Sequence, residues 1–260
     1  MTVRFEKYQG TGNDFVIVDN RMKQYDGFST ETIRFICDRR FGVGADGFML
    51  LQSHSDYAFE MKYYNSDGNE ATMCGNGARC ICAFAHYLGL VQAGCYFNFL
   101  AADGSHQARF DTGQTELKMI DVSEVSRVDD GFFLNTGVPH FVCPVADVDS
   151  VDVYSEGKAI RFSGKFGTQG TNVNFMSITG NDSISVRTYE RGVEDETLSC
   201  GTGVVAGCVA AYHLTGNHSF DVKVRGGALK VHFTPCPDGS FSEVWLCGPA
   251  MHVFSGSLML

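Results

Sequence analysis

"MCGNGARCICAFAHYLG" at 73–89 and "SCGTGVVAGCVAAYHLTG" at 199–216 each set a cysteine directly before Gly-x-Gly and then run into small apolar residues. Both read as a helix opening from a glycine-permitted turn. Shifting the chain against itself by 126 residues aligns Cys74 with Cys200, Gly75 with Gly201 and Gly77 with Gly203. It also aligns Tyr63 with Tyr189, Glu70 with Glu196, Ala85 with Ala211 and Leu88 with Leu214. Identities at one offset, centred on the cysteines, imply an internal duplication. The strands ahead of the helices break phase: Phe59 and Met61 fall opposite Ser185 and Arg187. Either a one-residue bulge intervenes or part of the match is chance. So long a period implies two related domains rather than a solenoid, with a boundary near 112–120.

Around these segments the chain is strand-rich. Short apolar or alternating runs recur, among them "FVIVD" at 15–19, "FMLLQ" at 48–52, "SISVRTY" at 183–189 and "EVWLC" at 243–247. They are punctuated by 30 glycines and only 5 prolines, as turn-linked strands require. Besides the two cysteine-led segments, only the region near 30–40 reads as helical. The fold class is therefore α/β (α+β).

The formal charge of −10, without a Lys/Arg block, argues against nucleic acid or an anionic membrane surface as partner. No apolar run approaches the ~20 residues of a membrane span. The opening "MTVRFEKYQG" has no apolar signal region, so a cytoplasmic location is expected. In that compartment the ten cysteines should be reduced. Cys37, Cys80, Cys82, Cys95, Cys143, Cys208, Cys236 and Cys247 read mostly as small buried hydrophobes. Cys80 and Cys82 lack zinc-ligand spacing and a partner pair, so no metal site is expected. "GVGADG" at 42–47 formally matches a dinucleotide fingerprint, but no buried strand precedes it, and a nucleotide cofactor is rejected.

A cysteine at a helix start meets unpaired N–H donors and a partial positive charge. Such an end binds carboxylate and favours thiolate over thiol. One such cysteine suits a nucleophile or a base. Two suit inversion of a carbon: one thiolate takes the α-proton and an opposed thiol delivers another to the other face. Both helix starts could then hold one carboxylate as charge develops.

"GTGNDFVIVD" at 10–19, "RRFGVGADG" at 39–47, "YYNSDGNEATMCGNGARC" at 63–80, "NTGVPHFV" at 135–142, "GTNVNF" at 170–175 and "ERGVEDETLSCGTG" at 190–203 occur in that order. Together they resemble the diaminopimelate epimerase family over nearly the whole chain. The resemblance implies two pseudo-symmetric domains, each a β-barrel-like sheet around a central helix, with the site in the cleft between them. We expect residues 1–115 with a returning strand 249–260 in one, and 116–248 in the other. It also implies cofactor-independent chemistry on a diamino dicarboxylate, with no cofactor and a homodimer.

By the same resemblance Cys74 and Cys200 are the acid/base pair. Gly75, Asn76, Gly201 and Thr202 present N–H groups to the α-carboxylate. His140 supports a thiol, and Glu190 partners an ammonium or tunes the acid/base groups. Arg191 forks onto the distal carboxylate, and Asn13, Asn65 and Asn172 bind substrate. Read alone, His140 would be a structural histidine, Glu190–Arg191 an exposed ion pair and the asparagines turn residues. Val138 stands where the family often has Asn, so that amide contact is lost. Glu194 and Asp195 read as a solvated loop, and Phe254 as a dimer contact. Two other readings stay open: a proline racemase-like enzyme of the same architecture, and a single-cysteine hydrolase or thiol redox protein. A non-catalytic binding module is a third.

Overall fold

The computed structural model describes all 260 residues. It divides into two compact units, Met1–Leu117 with Gly248–Leu260, and Lys118–Cys247. No helix is long and apolar enough to cross a membrane.

The first unit is built on eight strands: β1 (Thr2–Gly10), β2 (Asn13–Asp19), β3 (Gly47–Gln52), β4 (Glu60–Asn65), β5 (Tyr96–Ala101), β6 (Gly104–Asp111), β7 (Gln114–Lys118) and β17 (Met251–Met259). They lie in the order β17-β1-β2-β3-β4-β5-β6-β7. Only β2–β3 and β4–β5 are parallel, and a helix fills each of these two crossovers. The first, α1 (Thr30–Cys37), is amphipathic and caps itself with the Ser29 side chain. It lays Ile33, Ile36 and Cys37 on Val16, Val18, Phe48 and Leu50. The second, α2 (Gly75–Tyr87), is buried from Asn76 through Ala85 and touches β1, β2, β3 and β6. A helix that meets strands so far apart in the row has the sheet curled around it, which is why its sequence is mostly apolar or small, the buried Asn76 and Arg79 excepted.

The second unit repeats this plan. Its strands β8 (Val125–Val128), β9 (Gly131–Asn135), β10 (Pro139–Pro144), β11 (Asn172–Ile178), β12 (Ser183–Glu190), β14 (Ser219–Val224), β15 (Gly227–Pro235) and β16 (Phe241–Pro249) pair in that order. A short β13 (Asp195–Thr197) adds to β12. Again only the third–fourth and fifth–sixth neighbours, β10–β11 and β12–β14, are parallel. Again an outer helix, α3 (Val153–Arg161), and a buried one, α4 (Gly201–Thr215), fill those crossovers. The duplication is thus a property of the whole topology.

Three readings need correction. The helix α3 was not anticipated, because Gly157 interrupts its pattern. That glycine sits against Tyr189, and a Cβ there would lie 2.4 Å from the Tyr189 Cβ. Cys95 is exposed, in the turn before β5, rather than a small core residue. Glu194 is no solvated loop residue: it accepts from Gly192 N–H at 3.1 Å, Arg161 at 3.2 Å and Tyr189 Oη at 3.3 Å. Asp195 beside it is exposed.

Gly157→Ala puts helix propensity against packing. On an exposed helix the change gains up to ~1 kcal/mol; here the added methyl meets a fully buried ring. We expect a loss of about 1–3 kcal/mol in urea unfolding. An unchanged or raised midpoint would contradict the packing described.

Candidate functional site

Four helices begin in two ways. The outer ones are closed by side-chain oxygens, Ser29 accepting from Thr32 N–H and Asp152 from Ser155 N–H. The buried ones begin at Cys74 and Cys200, both extended in backbone, and neither cysteine side chain caps the first turn that follows it. Each cysteine's carbonyl starts its helix, accepting from Ala78 N–H at 2.7 Å and Val204 N–H at 2.9 Å. Cys74 is half-buried and Cys200 buried. Further along the same helices, burial pushes the Cys80 thiol up to about 12 and raises Cys82 and Cys208 strongly. These interior thiols are chemically quiet.

In the first unit Asn76 Nδ2 donates to Asn13 Oδ1 at 2.6 Å, and Asn13 Nδ2 donates to Asp46 Oδ2 at 3.0 Å. Asp46 and Asp14 are clamped by Arg39, at 2.7 and 2.6 Å. The buried Lys7 pairs with Asp14 at 2.7 Å and donates to Gly44 O. Burial would raise Asp14, but hydrogen bonds and charge from Arg39 and Lys7 outweigh it and hold the carboxyl well below its usual range. This charged cluster ties the 38–46 loop to the strand that carries Asn13, so Asn13 and Asn76 are fixed relative to each other. Asn65 is exposed, its carbonyl closing the tight turn to Gly68.

In the second unit His140, fully buried, meets Thr202 Oγ1 at 2.9 Å through Nε2 and Asn174 Nδ2 at 3.1 Å through Nδ1. Thr202 Oγ1 in turn lies 3.4 Å from Cys200 Sγ. Among these contacts His140 reaches the thiol through one hydroxyl rather than directly. Burial lowers its imidazole to about 3; the Asn174 hydrogen bond opposes this and the Arg191 charge adds to it. It is neutral at physiological pH. Asn172 Oδ1 accepts from Arg191 backbone N–H at 2.7 Å, and its Nδ2 donates to Pro139 O at 3.3 Å, so this amide sets where Arg191 begins. Arg191 itself reaches Gln169 O at 3.5 Å. Glu190 ends β12, and burial raises its carboxyl while the Thr197 hydroxyl lowers it. Asn174 escaped sequence reading. The signal was present: two asparagines, Asn172 and Asn174, in a strand buried at all but its last residue.

Phe254 stands apart from these residues, 45% exposed on β17, with its ring edge-on to Phe5 at 5.9 Å.

The model of the family described as "Diaminopimelate epimerase" matches residues 5–128 and 132–250. The diaminopimelate epimerase of Flavobacterium psychrophilum is 44% identical over 259 residues, covering 98% of this chain and 100% of that one. That of Chlorobaculum tepidum is 40% identical over 262 residues, covering 96% and 99%. Among solved structures, a Bacillus anthracis phenazine biosynthesis protein of the PhzF family superposes with a TM-score of 0.74 at 14% identity, covering 100% of both chains. A hydroxyproline epimerase from Agrobacterium vitis gives 0.69 at 13%, covering 100% of this chain and 93% of that one. At such identities these two share the fold, a mixed α/β architecture.

His140 also shapes stability. Its folded value is about 3, against about 6.5 in an unfolded chain. Between those values the unfolded chain binds a proton the folded one lacks. Its contribution is complete above about 6.5 and falls by about 1.4 kcal/mol per unit as pH drops toward 3. His140→Gln should therefore unfold in urea with a visibly shallower loss of stability between pH 6.5 and 4 than the parent. Equal slopes would contradict the buried neutral imidazole.

Proposed function

This chain belongs to the diaminopimelate epimerase family, and from that premise we propose that it interconverts LL- and meso-diaminopimelate by two-base proton transfer, without a cofactor. The observation that carries the reading is the paired helix start: one fold plan, built twice, each time with a buried helix led by a cysteine whose side chain does not cap it. Inversion needs two acid/base groups on opposite faces of one α-carbon, and the proposal assigns Cys74 to one face and Cys200 to the other. The thiolate on one side takes the α-proton. The thiol on the other side gives its proton to the opposite face. Electrons left on the α-carbon delocalise into the α-carboxylate, which first-turn N–H groups at Gly75–Asn76 and Gly201–Thr202 are suited to hold.

Asn13, Asn65, Asn172, Glu190 and Arg191 are assigned to the substrate's polar groups, Arg191 to the distal carboxylate. Val138 has no amide to offer there. His140 is assigned to support of Cys200 through Thr202. This arrangement speaks against a cysteine hydrolase: an imidazole lowered to about 3, with Thr202 and Asn174 on its two nitrogens, is a poor base for a thiol.

We assign the protein to the cytoplasm and to a homodimer that covers β17. Met251, Val253 and Phe254 are all about half exposed on that one strand, an apolar surface suited to burial against a second copy. Sedimentation at micromolar concentration should give the mass of two chains; the mass of one would remove this part.

The purified protein should convert LL-diaminopimelate and leave proline unchanged, whereas a proline racemase-like enzyme does the reverse. Cys74→Ala and Cys200→Ala should each lower epimerisation by at least about 1,000-fold while unfolding like the parent. Full activity in either variant defeats the two-base assignment. Loss in only one of them would point to single-thiol chemistry.

A further inference from the structure

The two units can be compared residue by residue, because the same glycine position presses on the strands in both. A Cβ on Gly77 would lie 3.3 Å from Met49 Cε and 3.4 Å from Phe15. A Cβ on Gly203 would lie 2.3 Å from Asn174 Oδ1 and 3.2 Å from Thr188 Oγ1. Strand register completes the match. Met49 pairs with Tyr63 as Asn174 pairs with Thr188. Phe15 lies two residues before Met49's partner Ile17, as His140 lies two before Asn174's partner Val142. Equivalent strand residues are thus 125 apart, not 126, and one extra residue precedes Cys200. The Tyr63–Tyr189 identity is a coincidence of phase; Thr188 is the counterpart of Tyr63.

Phe15, Met49 and Tyr63 in one unit are therefore His140, Asn174 and Thr188 in the other. Three buried polar groups replacing three largely apolar ones cost stability unless every one is bonded. Here they are bonded in series. Thr188 Oγ1 donates to Asn174 Oδ1 at 2.9 Å. Asn174 Nδ2 donates to Phe141 O at 3.2 Å, and a carbonyl only accepts, so the amide nitrogen must face this side. The same nitrogen therefore donates to His140 Nδ1, and the ring's one proton is left on Nε2. Nε2–H then donates to Thr202 Oγ1. That leaves the Thr202 hydroxyl proton free to point at Cys200 Sγ, 3.4 Å away.

We propose that Asn174 is a positioning residue for the reaction: it locks His140 in the Nε2–H tautomer and so aims the Thr202 hydroxyl as a donor at the Cys200 sulfur. This rests on the epimerase reading for its catalytic meaning, but the tautomer does not. Behind the corresponding thiol, Cys74, the equivalent places hold Phe15, Met49 and Tyr63. At these equivalent places the two halves of the duplicated fold thus differ, three hydrogen-bonded polar side chains in one and two apolar side chains with a phenol in the other. His140 acts as a donor in this scheme and takes no proton from substrate or thiol.

The test is long-range ¹H–¹⁵N correlation of the labelled enzyme, with His140 identified by its absence in His140→Gln. The parent should show Nε2 protonated and Nδ1 bare from pH 5.5 to 8.5. An Nδ1–H tautomer in the parent overturns the proposal whether or not any variant folds. Asn174→Asp keeps the size but only accepts, and should move the proton to Nδ1. Asn174→Met, which installs the first unit's residue, should leave the tautomers mixed. Both should lower kcat by on the order of 100-fold with KM little changed. Variants with parental kcat overturn the positioning role while leaving the epimerase reading intact. A parent with the stated tautomer but no epimerase activity defeats that reading instead, and leaves the tautomer standing.

Discussion

A helix buried along its length must begin somewhere, and its first N–H groups have no earlier turn to bond. The rest of the molecule depends on how that constraint is met. Where the helix only covers the sheet, the chain supplies a cap: Ser29 for α1, Asp152 for α3. Where the helix is enclosed, at α2 and α4, it supplies a cysteine whose side chain does not cap, followed by glycine. The sheet curls to enclose each helix. Gly77 and Gly203 let each helix press on its strands. The donors at each first turn remain suited to a carboxylate.

Given that shared plan, the differences between the halves carry the chemistry. In the first unit a cluster of Lys7, Asp14, Arg39 and Asp46 is partly screened from water, so its ion pairs hold geometry more than they add stability. What they hold is the Asn13–Asn76 pair beside Cys74. In the second unit the fixed geometry comes instead from neutral hydrogen bonds running from Thr188 to Cys200. Neutral donors avoid the desolvation cost of a buried charge, which is also why His140 stays unprotonated.

Much of this was legible in the chain. Cys74-Gly75-x-Gly77 and Cys200-Gly201-x-Gly203 announced both buried helices and their duplication, because glycine at a helix start has few other uses. The strand-rich α/β class followed from short alternating runs. Other parts were hidden for physical reasons. Helix α3 carries Gly157 at its centre, a choice made by the Tyr189 ring above it rather than by helix propensity. The one-residue slip ahead of Cys200 made Tyr189 look like the partner of Tyr63, although it faces α3 while Tyr63 lies on Phe15. Asn174 shares its strand with Asn172, but its role appears only when Thr188, Phe141 and His140 are brought around it. Glu194 looks solvated in the sequence because one of its partners, Arg161, is 33 residues away and is brought to it by the fold.

The central claim is that two thiols, not one, exchange protons with opposite faces of the same carbon. The most direct test follows the α-hydrogen during the first few per cent of conversion of LL-diaminopimelate in deuterated water. Two bases predict that meso product carries deuterium at the inverted centre while recovered substrate keeps its protium. Deuterium in both pools at equal rates, or protium retained in the product, would contradict the account.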